Sequence, residues 1–248
     1  MMHGFESYDS VDSIIIRAAA LPKEPVPPLN YHLSFSPVGL VNEYLNKVTV
    51  IENGELIYMD ALDGYETCKL KSHPDLGPLE AFYTSGSATF LARELVGRVK
   101  TLDFKTLRFV GHRNIIKAFF DLGFNSSQII DIRTSITYRD LFIRQLKKYL
   151  PHSKNDIAVA KINLSGIRDG KRIAREYEVY LESDENADIS AMMTVTSQSA
   201  VTTAMLLAEN KLSGVGGVCT PETALPKEDY IKRMREHGVN IEITEYDE

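Results

Sequence analysis

The length and charge of the chain limit what the protein can be. With 248 residues it can bury a full hydrophobic core, either as one large domain or as two small ones. A net charge of −6 argues against a nucleic-acid partner, because phosphate binding needs a basic surface. No apolar run approaches the length that spans a bilayer, and Cys68 and Cys219 match no metal or redox spacing. We therefore expect a cytoplasmic protein with reduced thiols, no bound metal and no membrane partner.

The N-terminal half of the chain alternates patterns typical of strands with patterns typical of helices. Ser36 and Pro37 predict a helix start, because Ser caps a helix and Pro suits its first position. Asn53-Gly54 is a strong hairpin signal between two apolar runs. The predicted elements in this half are strands Val11–Leu21, Tyr31–Phe35, Val48–Ile51, Leu56–Met59 and Leu79–Tyr83, and helices Val38–Leu45 and Phe90–Val96.

The middle of the chain holds the stretch Thr106–Gly123, which predicts a strand, a Gly turn and a helix beginning at His112. Arg108 lies near the end of that strand. We expect its guanidinium and the helix N-terminus to meet at one spot that suits a carboxylate or a phosphate. The alternative is a surface arginine paired with an Asp, with His112 serving only to start the helix.

The C-terminal half predicts a long hairpin between helices. Thr137 and Asp140 predict a capped helix start, and Asp169-Gly170 predicts a hairpin turn. The predicted elements are helix Thr137–Leu150, strands Asp156–Ser165, Ile173–Leu181 and Ile189–Thr196, a helix from Ser197 or Ser199 to Asn210, helix Lys227–His237 and strand Asn240–Thr244. These elements predict an α+β fold: a mixed, largely antiparallel sheet with long hairpins and with helices packed on one face. Gly214–Gly217 lacks the strand and helix context of a dinucleotide fingerprint.

Several of these segments together resemble a known family. Thr106–Gly123 (TLRFVGHRNIIKAFFDLG) is similar to the Thr-Leu-Arg-Tyr-Pro-Gly-His…Leu-Gly signature of saccharopine dehydrogenases of the glutamate-forming, NADP-using type. Ser34–Tyr44 (SFSPVGLVNEY), Glu80–Gly86 (EAFYTSG) and Gly217–Gly238 match further family segments in the same order. The chain departs from the family where Phe35 replaces Trp, Val110 replaces Pro and Ser85 replaces Asp.

The resemblance implies a division of labour between two parts of a larger enzyme. The family begins with a Rossmann domain that holds the nicotinamide cofactor, and this sequence resembles the part that follows it. Residues 1–196 are then expected to form a substrate-binding and dimerisation domain, and residues 197–248 a C-terminal helical segment that returns towards the cofactor domain. NADP would be bound by protein absent from this chain, such as a separate Rossmann-domain polypeptide, so we expect the isolated chain to be inactive. The resemblance also implies that the chain forms a homodimer.

The resemblance also implies the chemistry and the site. The reaction would be reversible hydride transfer at a carbon attached to a secondary amine, as in lysine and aminoadipate metabolism, on an amino-acid-derived substrate. His112 would be the general acid or base, unless it is only a helix-start histidine held by backbone. The predicted substrate-binding residues are Arg108 as carboxylate clamp, Tyr83, Thr84 and Ser85 beside it, and Arg133 and Asn42 as secondary contacts, with helix packing the alternative for Asn42.

Two other functions stay open at this point. Carboxynorspermidine and homospermidine enzymes belong to the same fold family, and the segments quoted above do not separate their substrates from saccharopine. A non-catalytic dimeric module that binds an amino acid without converting it is the alternative from a different class.

Overall fold

The computed structural model describes residues 1–86, 88–214 and 216–247, so residue 215 of the Gly214–Gly217 stretch lies outside the described residues. The described residues form one sheet with helices around it. The strands are β1 (Ser10–Pro22), β2 (Val48–Glu52), β3 (Glu55–Met59), β4 (Glu66–Cys68), β5 (Leu79–Phe82), β6 (Thr101–Phe109), β7 (Asp156–Arg168), β8 (Lys171–Glu182) and β9 (Asn240–Asp247). The helices are α1 (Met2–Phe5), α2 (Pro37–Glu43), α3 (Thr89–Leu95), α4 (His112–Asp121), α5 (Tyr138–Tyr149), α6 (Ala191–Ala208), α7 (Pro221–Ala224) and α8 (Lys227–Glu236), with a 3-10 turn at Pro74–Leu76.

The sheet is mixed and mostly antiparallel. Its main path runs β3-β2-β6-β1-β7-β8-β9, while β5 also pairs with β6 and β4 with β5. β1 and β6 pair in parallel, and the other strand pairs of the described chain are antiparallel. The predicted α+β fold is confirmed.

Both predicted hairpins form at the predicted turns. Asn53 and Gly54 have φ of 53° and 83°, and Asp169 and Gly170 have φ of 52° and 73°. Positive φ at both central residues is the geometry that Asn-Gly and Asp-Gly accommodate and that matches the twist of the flanking strands. The second turn joins β7 to β8, whose pairing extends from Arg168↔Lys171 to Ile157↔Glu182.

The helices pack on one face of the sheet. Ile14 and Ile16 of β1 contact Leu91 and Leu95 of α3 in one buried cluster. The opposite face is covered in part by the segment around β4, where Leu70 packs against Leu21 at the end of β1. Because side chains alternate along a strand, the next residues of β1 on the helix-covered face are Ala18 and Ala20.

Two predicted strands are wrong. Tyr31–Phe35 has no strand pairing, and its Tyr31 and Leu33 are buried in the cluster that also contains residues of α2 and α5. Ile189–Thr196 is mostly helical, because α6 begins at Ala191 rather than at Ser197 or Ser199. Short apolar runs fit strands, buried loops and buried helices equally well, so their partners decide between these structures.

The start of α6 shows which partners decided. The Ser190 side chain accepts a hydrogen bond from the Met193 N–H at 3.0 Å. The carboxylate of Asp156, at the start of β7, accepts the N–H groups of Ala191 and Met192 at 2.5 and 3.2 Å. These acceptors satisfy three N–H groups that a helix start leaves free, and they outweigh the strand propensity of the segment.

The predicted division between residues 196 and 197 falls inside α6. The C-terminal strand β9 pairs with β8 from Tyr180↔Asn240 to Ile173↔Asp247, so both predicted parts contribute to one sheet. The functional division between substrate binding and return to a cofactor domain stays a prediction. No helix among the described residues is long and apolar enough to cross a membrane.

Candidate functional site

A cavity of about 330 Å³ lies on the helix-covered face of the sheet, across β6, β1, β7 and β8. Thr106, Ala18, Ala160 and Val179 are paired in register across these four strands, and all four line the cavity. Ala20 and Ala158 form a second pair beside them. The small alanine side chains leave open the space that larger residues would fill. Met192 and Val195 of α6 cover the side of the cavity nearest to β7 and β8.

Arg108 forms one end of the cavity, and its side chain is incompletely satisfied. The residue is only 3% exposed. Its Nη1 donates to the Leu107 carbonyl at 2.8 Å, and its guanidinium carbon lies 4.9 Å from the centre of the Tyr31 ring. Its buried Nε has no hydrogen-bond partner. Buried guanidinium N–H groups are normally paired, so this free donor indicates a place for an acceptor that the chain itself does not supply.

Glu43, the last residue of α2, lines the same end of the cavity. Its Oε2 lies 3.8 Å from Nη2 of Arg108, which is too long for a direct hydrogen bond. Burial raises the pKa of the Glu43 carboxyl, while the positive charge of Arg108 partly opposes that shift. The cavity therefore presents a cation and a carboxyl group that are only loosely paired, rather than a closed ion pair.

His112 supports this end of the cavity from behind. Its Nδ1 donates to the Leu29 carbonyl at 2.9 Å, because a carbonyl can only accept. Its Nε2 then accepts from the Tyr44 hydroxyl at 2.9 Å, and Tyr44 in turn interacts electrostatically with Arg108. Burial, followed by the charge of Arg108, lowers the pKa of His112 to about 3, so the ring is neutral.

This environment does not favour the predicted role of His112 as general acid or base. The residue is fully buried, both of its ring nitrogens are engaged, and it does not line the cavity. It corresponds to the alternative of a helix-start histidine held by a backbone group. In this position the ring holds the Tyr44 hydroxyl by a hydrogen bond, and Tyr44 lies beside the guanidinium of Arg108.

The N-terminus of α4 is not free to bind a ligand together with Arg108, which corrects the predicted anion site. The carboxylate of Glu80 already accepts the N–H groups of Gly111 and Arg113 at 3.1 and 2.6 Å. Glu80 lies on β5 directly opposite Arg108 of β6. An internal carboxylate therefore takes the helix N-terminus, and only the guanidinium remains available to a ligand.

The predicted residues of the Tyr83–Ser85 segment contact the cavity only indirectly. Thr84 is buried, and its Oγ1 lies 2.5 Å from Oγ1 of the cavity residue Thr106. The Tyr83 ring lies 5.0 Å from the ammonium of Lys105, whose side chain belongs to the opposite face of β6. Ser85 binds the end of α2, donating its N–H to the Glu43 carbonyl at 2.9 Å.

The two secondary residues do not line the cavity either. Asn42 is exposed, and its carbonyl accepts the Ser85 hydroxyl at 3.2 Å. Arg133 has a side chain that is 86% exposed and forms two hydrogen bonds of 3.0 Å to Asp131. Sequence reasoning missed Glu43 and the alanine floor of the cavity, which is formed by Ala18 and Ala20 of β1 and Ala158 and Ala160 of β7. The repeated Ala at alternate positions of two predicted strands was the signal that could have revealed the floor.

The described residues do not fit a nicotinamide dinucleotide. Such a cofactor binds at the end of several parallel strands, with its pyrophosphate on a free helix N-terminus. Among the strand pairs of the described chain only β1–β6 is parallel, and the helix start after β6 holds Glu80. Within residues 1–86, 88–214 and 216–247 no group of three or more His, Cys, Asp and Glu residues could hold a metal ion.

The fold is of the α+β class, with one mixed sheet that carries a cavity on its helix-covered face. The model of the saccharopine dehydrogenase C-terminal domain matches residues 1–239, and the chain belongs to this family. The family places the chain among oxidoreductase domains of amino-acid metabolism, which generally work with a nicotinamide cofactor. Among solved structures, the chain is similar to apo histidine-tagged saccharopine dehydrogenase (L-Glu forming) from Saccharomyces cerevisiae. That match has a TM-score of 0.75 and 14% identity, and it covers 99% of this chain and 69% of the yeast chain. At this identity the likeness shows the fold alone.

Proposed function

We propose that this domain binds the amino-acid-derived amine substrate of a saccharopine dehydrogenase-like oxidoreductase, in the cavity above the alanine floor. The observation that carries the proposal is the buried guanidinium of Arg108 with its unpartnered Nε at the cavity end. A carboxylate is the natural acceptor, because its two oxygens match two neighbouring N–H groups of a guanidinium.

The residues around Arg108 would orient that carboxylate. Tyr31 lies against the guanidinium, and Tyr44, held by His112, interacts electrostatically with it. A guanidinium held in this way loses little conformational entropy when it binds a ligand. Glu43, 3.8 Å from Arg108, would accept a hydrogen bond from the amine of the same ligand.

The resemblance to saccharopine dehydrogenases supports finer features of the proposal. The reaction would be hydride transfer at a secondary-amine carbon, with glutamate as a product and NADP as the cofactor, in lysine and aminoadipate metabolism. The chain would form a homodimer and would work with a separate Rossmann-domain polypeptide. Since the described residues do not fit a nicotinamide, the cofactor would be bound by the partner polypeptide. The contribution proposed for this chain is to bind and orient the amine.

A binding experiment tests the clamp. Titration calorimetry compares L-norleucine with 1-pentylamine, which is the same molecule without its carboxylate. We expect Arg108→Met to weaken binding of norleucine at least tenfold and to leave binding of pentylamine unchanged, since a lost charged hydrogen bond costs about 1.5–3 kcal/mol. Unchanged norleucine binding by Arg108→Met, with the folded state verified by circular dichroism, would show that the clamp assignment is wrong.

An activity experiment tests the oxidoreductase role. NADPH consumption is measured with L-glutamate and aminoadipate semialdehyde, first with this chain alone and then with a Rossmann-domain partner polypeptide added. We expect turnover only in the presence of the partner. Turnover by the chain alone would contradict the proposal that the cofactor is bound elsewhere. Sedimentation velocity on the same sample measures whether the chain is a dimer.

A second candidate is a binding module that holds an amino acid without converting it. The buried, neutral state of His112 favours it, because this residue was the predicted acid or base and neither of its ring nitrogens is open to a ligand. This candidate predicts amino-acid binding that depends on Arg108, with no NADPH consumption when the partner polypeptide is present.

A further inference from the structure

The proposed oxidoreductase role leaves one task in the cavity without a residue. Oxidation at a carbon attached to nitrogen uses the lone pair of that nitrogen, and an ammonium group has no lone pair. A base must therefore remove a proton from the amine, and an acid must return it in the reverse direction. His112 was predicted for this task, but it is fully buried and both of its ring nitrogens are engaged.

The described residues that line the cavity offer one candidate for the task. Three of them have ionisable side chains, namely Tyr31, Glu43 and Arg108. Arginine keeps its proton in proteins, so Arg108 is neither acid nor base. The Tyr31 hydroxyl is hydrogen-bonded to the Ser34 hydroxyl at 3.2 Å. The carboxyl group of Glu43 forms no hydrogen bond with another described residue and only approaches Arg108 to 3.8 Å, so its oxygens are open to a ligand.

Glu43 also lies where the amine of a bound amino acid would be. Its Oε2 is 3.8 Å from Nη2 of Arg108, which binds the ligand carboxylate in the proposed function. In an α-amino acid a single carbon separates the carboxylate from the amine nitrogen. A ligand whose carboxylate contacts the guanidinium can therefore place its nitrogen within hydrogen-bond distance of Glu43, which is the geometry that proton transfer needs.

The surroundings of Glu43 suit a group that gains and loses a proton. Burial raises the pKa of its carboxyl towards neutral pH, and the positive charge of Arg108 on β6 partly opposes this rise. The other residues of α2 are uncharged, and Ser85, which binds the end of α2, is neutral. The Glu43 side chain is 33% exposed, so its proton can exchange with water.

We propose that Glu43 is the acid–base residue of this cavity. With the ligand carboxylate on Arg108, an N–H bond of the ammonium group breaks and an O–H bond forms on a carboxylate oxygen of Glu43. In the reverse direction Glu43 returns the proton to the nitrogen, and no electrons are gained or lost in this step. The inference rests on the proposed function, because it concerns the same cavity and the same clamp.

The first experiment needs no cofactor. Titration calorimetry with the full chain compares L-norleucine with hexanoate, which is the same molecule without its amine, at about pH 7.5 and about pH 4.5. Protonated Glu43 cannot accept a proton from an ammonium group. We therefore expect norleucine to bind about threefold or more weakly at the lower pH, and hexanoate to bind no more weakly there. Circular dichroism verifies the folded state at both pH values.

Two variants assign this pH dependence to a residue. In Glu43→Gln the affinity for norleucine should be the same at both pH values, because the group that titrates is gone. Glu52→Gln is the matched control, since Glu52 is an exposed carboxylate at the end of β2 that does not line the cavity, and it should keep the pH dependence. A pH dependence that survives in Glu43→Gln overturns the inference.

Turnover separates proton transfer from simple binding of the amine. The assay contains L-glutamate, aminoadipate semialdehyde, NADPH and the Rossmann-domain partner polypeptide. We expect Glu43→Gln to lower kcat by about a hundredfold or more, with a smaller effect on KM, and Glu43→Asp to recover part of the loss because it keeps an ionisable group. A raised KM with unchanged kcat in Glu43→Gln would show that Glu43 only binds the amine.

The outcomes separate this inference from the proposed function. If the unmodified chain binds norleucine through Arg108 and turns over with the partner, yet Glu43→Gln keeps its kcat, the acid–base assignment is wrong and the clamp stands. If the unmodified chain binds neither ligand, or does not turn over with the partner, the proposed function fails and this inference fails with it.

Discussion

Two arginines lie buried on opposite faces of the same sheet, and the chain satisfies them very differently. Arg17 of β1 is 4% exposed, and all three of its nitrogens donate hydrogen bonds. Nε donates to Glu66, Nη2 to Asp103 at 2.7 Å, and Nη1 to the carbonyls of Ile16 and Asp103 at 2.8 and 3.1 Å. Lys105 adds a second cation to the same two carboxylates. Every nitrogen of Arg17 is thus paired within the chain, although the buried Oδ1 of Asp103 has no hydrogen-bond partner.

Arg108 is equally buried but has fewer partners. It donates one hydrogen bond to its own strand, lies 3.8 Å from Glu43, and has a free Nε. It also lines a cavity, which Arg17 does not. The comparison shows that burial of a charge does not by itself indicate a site. The unmet hydrogen-bonding capacity beside open space is what distinguishes Arg108.

The largest effect on stability is expected at Arg17. Arg17→Met leaves Asp103 and Glu66 with Lys105 as their remaining cation, so we expect the free energy of unfolding to fall by about 3 kcal/mol. This is the low end of the usual range, because the Glu66 side chain is 40% exposed and water screens it. Urea unfolding measures the change. A loss below about 1 kcal/mol would mean that the ion pairs of Arg17 contribute little to folding.

A smaller effect on stability is expected from the protonation of His112, the buried histidine behind Arg108. His112 has a pKa of about 3 in the folded chain and its ordinary value in the unfolded chain. As the pH falls from 6.5 to 4.5 the unfolded state binds a proton that the folded state does not, so stability falls by about 2 kcal/mol. Urea unfolding at several pH values in this range measures the slope of the free energy of unfolding against pH. In His112→Asn this slope should be smaller by the contribution of the histidine. The exposed His237→Asn is the control, and it should retain the slope; an unchanged slope in His112→Asn would contradict the buried neutral state.

The direct test of the comparison is the stability of Arg108→Met. Because Arg108 is incompletely paired without ligand, we expect its loss to lower the free energy of unfolding by no more than about 1 kcal/mol. The unmodified chain should gain about 2.7 kcal/mol of stability from norleucine at a hundred times its Kd, and the variant should gain almost nothing at the same concentration. A loss as large as that of Arg17→Met would mean that Arg108 is structural too.

The smallest effect is expected at Arg133. Its pairing with Asp131 is fully on the surface, where single ion pairs contribute little. Arg133→Ala should leave both the urea midpoint of unfolding and the norleucine affinity measured by calorimetry unchanged. Weaker binding of norleucine by this variant would show that Arg133 contacts the substrate after all.

Local features were predictable from the sequence where neighbouring residues decide them. The Asn53-Gly54 and Asp169-Gly170 turns have the positive φ values that their residues allow. Thr137 and Asp140 form the predicted capping box, with Asp140 N–H bound to the Thr137 hydroxyl oxygen at 3.0 Å. Each of these contacts joins residues within a few positions of one another, so the residue types alone specify it.

The candidate site was predictable only in part. Arg108 stood out as an arginine near the end of a strand, but the residues that define its surroundings come from distant parts of the chain. Glu43 comes from α2, Tyr31 from an irregular segment, and the alanine floor from β1 and β7. Glu80 takes the helix N-terminus that had been assigned to a ligand, and this follows only from the β5–β6 register.

By itself, the sequence determined the helix caps, the hairpin turns and the alternation that gives the sheet one helix-covered face, because these depend on the geometry of adjacent residues. The resemblance of its segments was sufficient to place the chain in its family. Only the tertiary structure decided which buried arginine has all of its nitrogens hydrogen-bonded and which has a free donor. The reason is physical: whether a buried charge is satisfied depends on groups that the folded chain brings together from far apart in sequence.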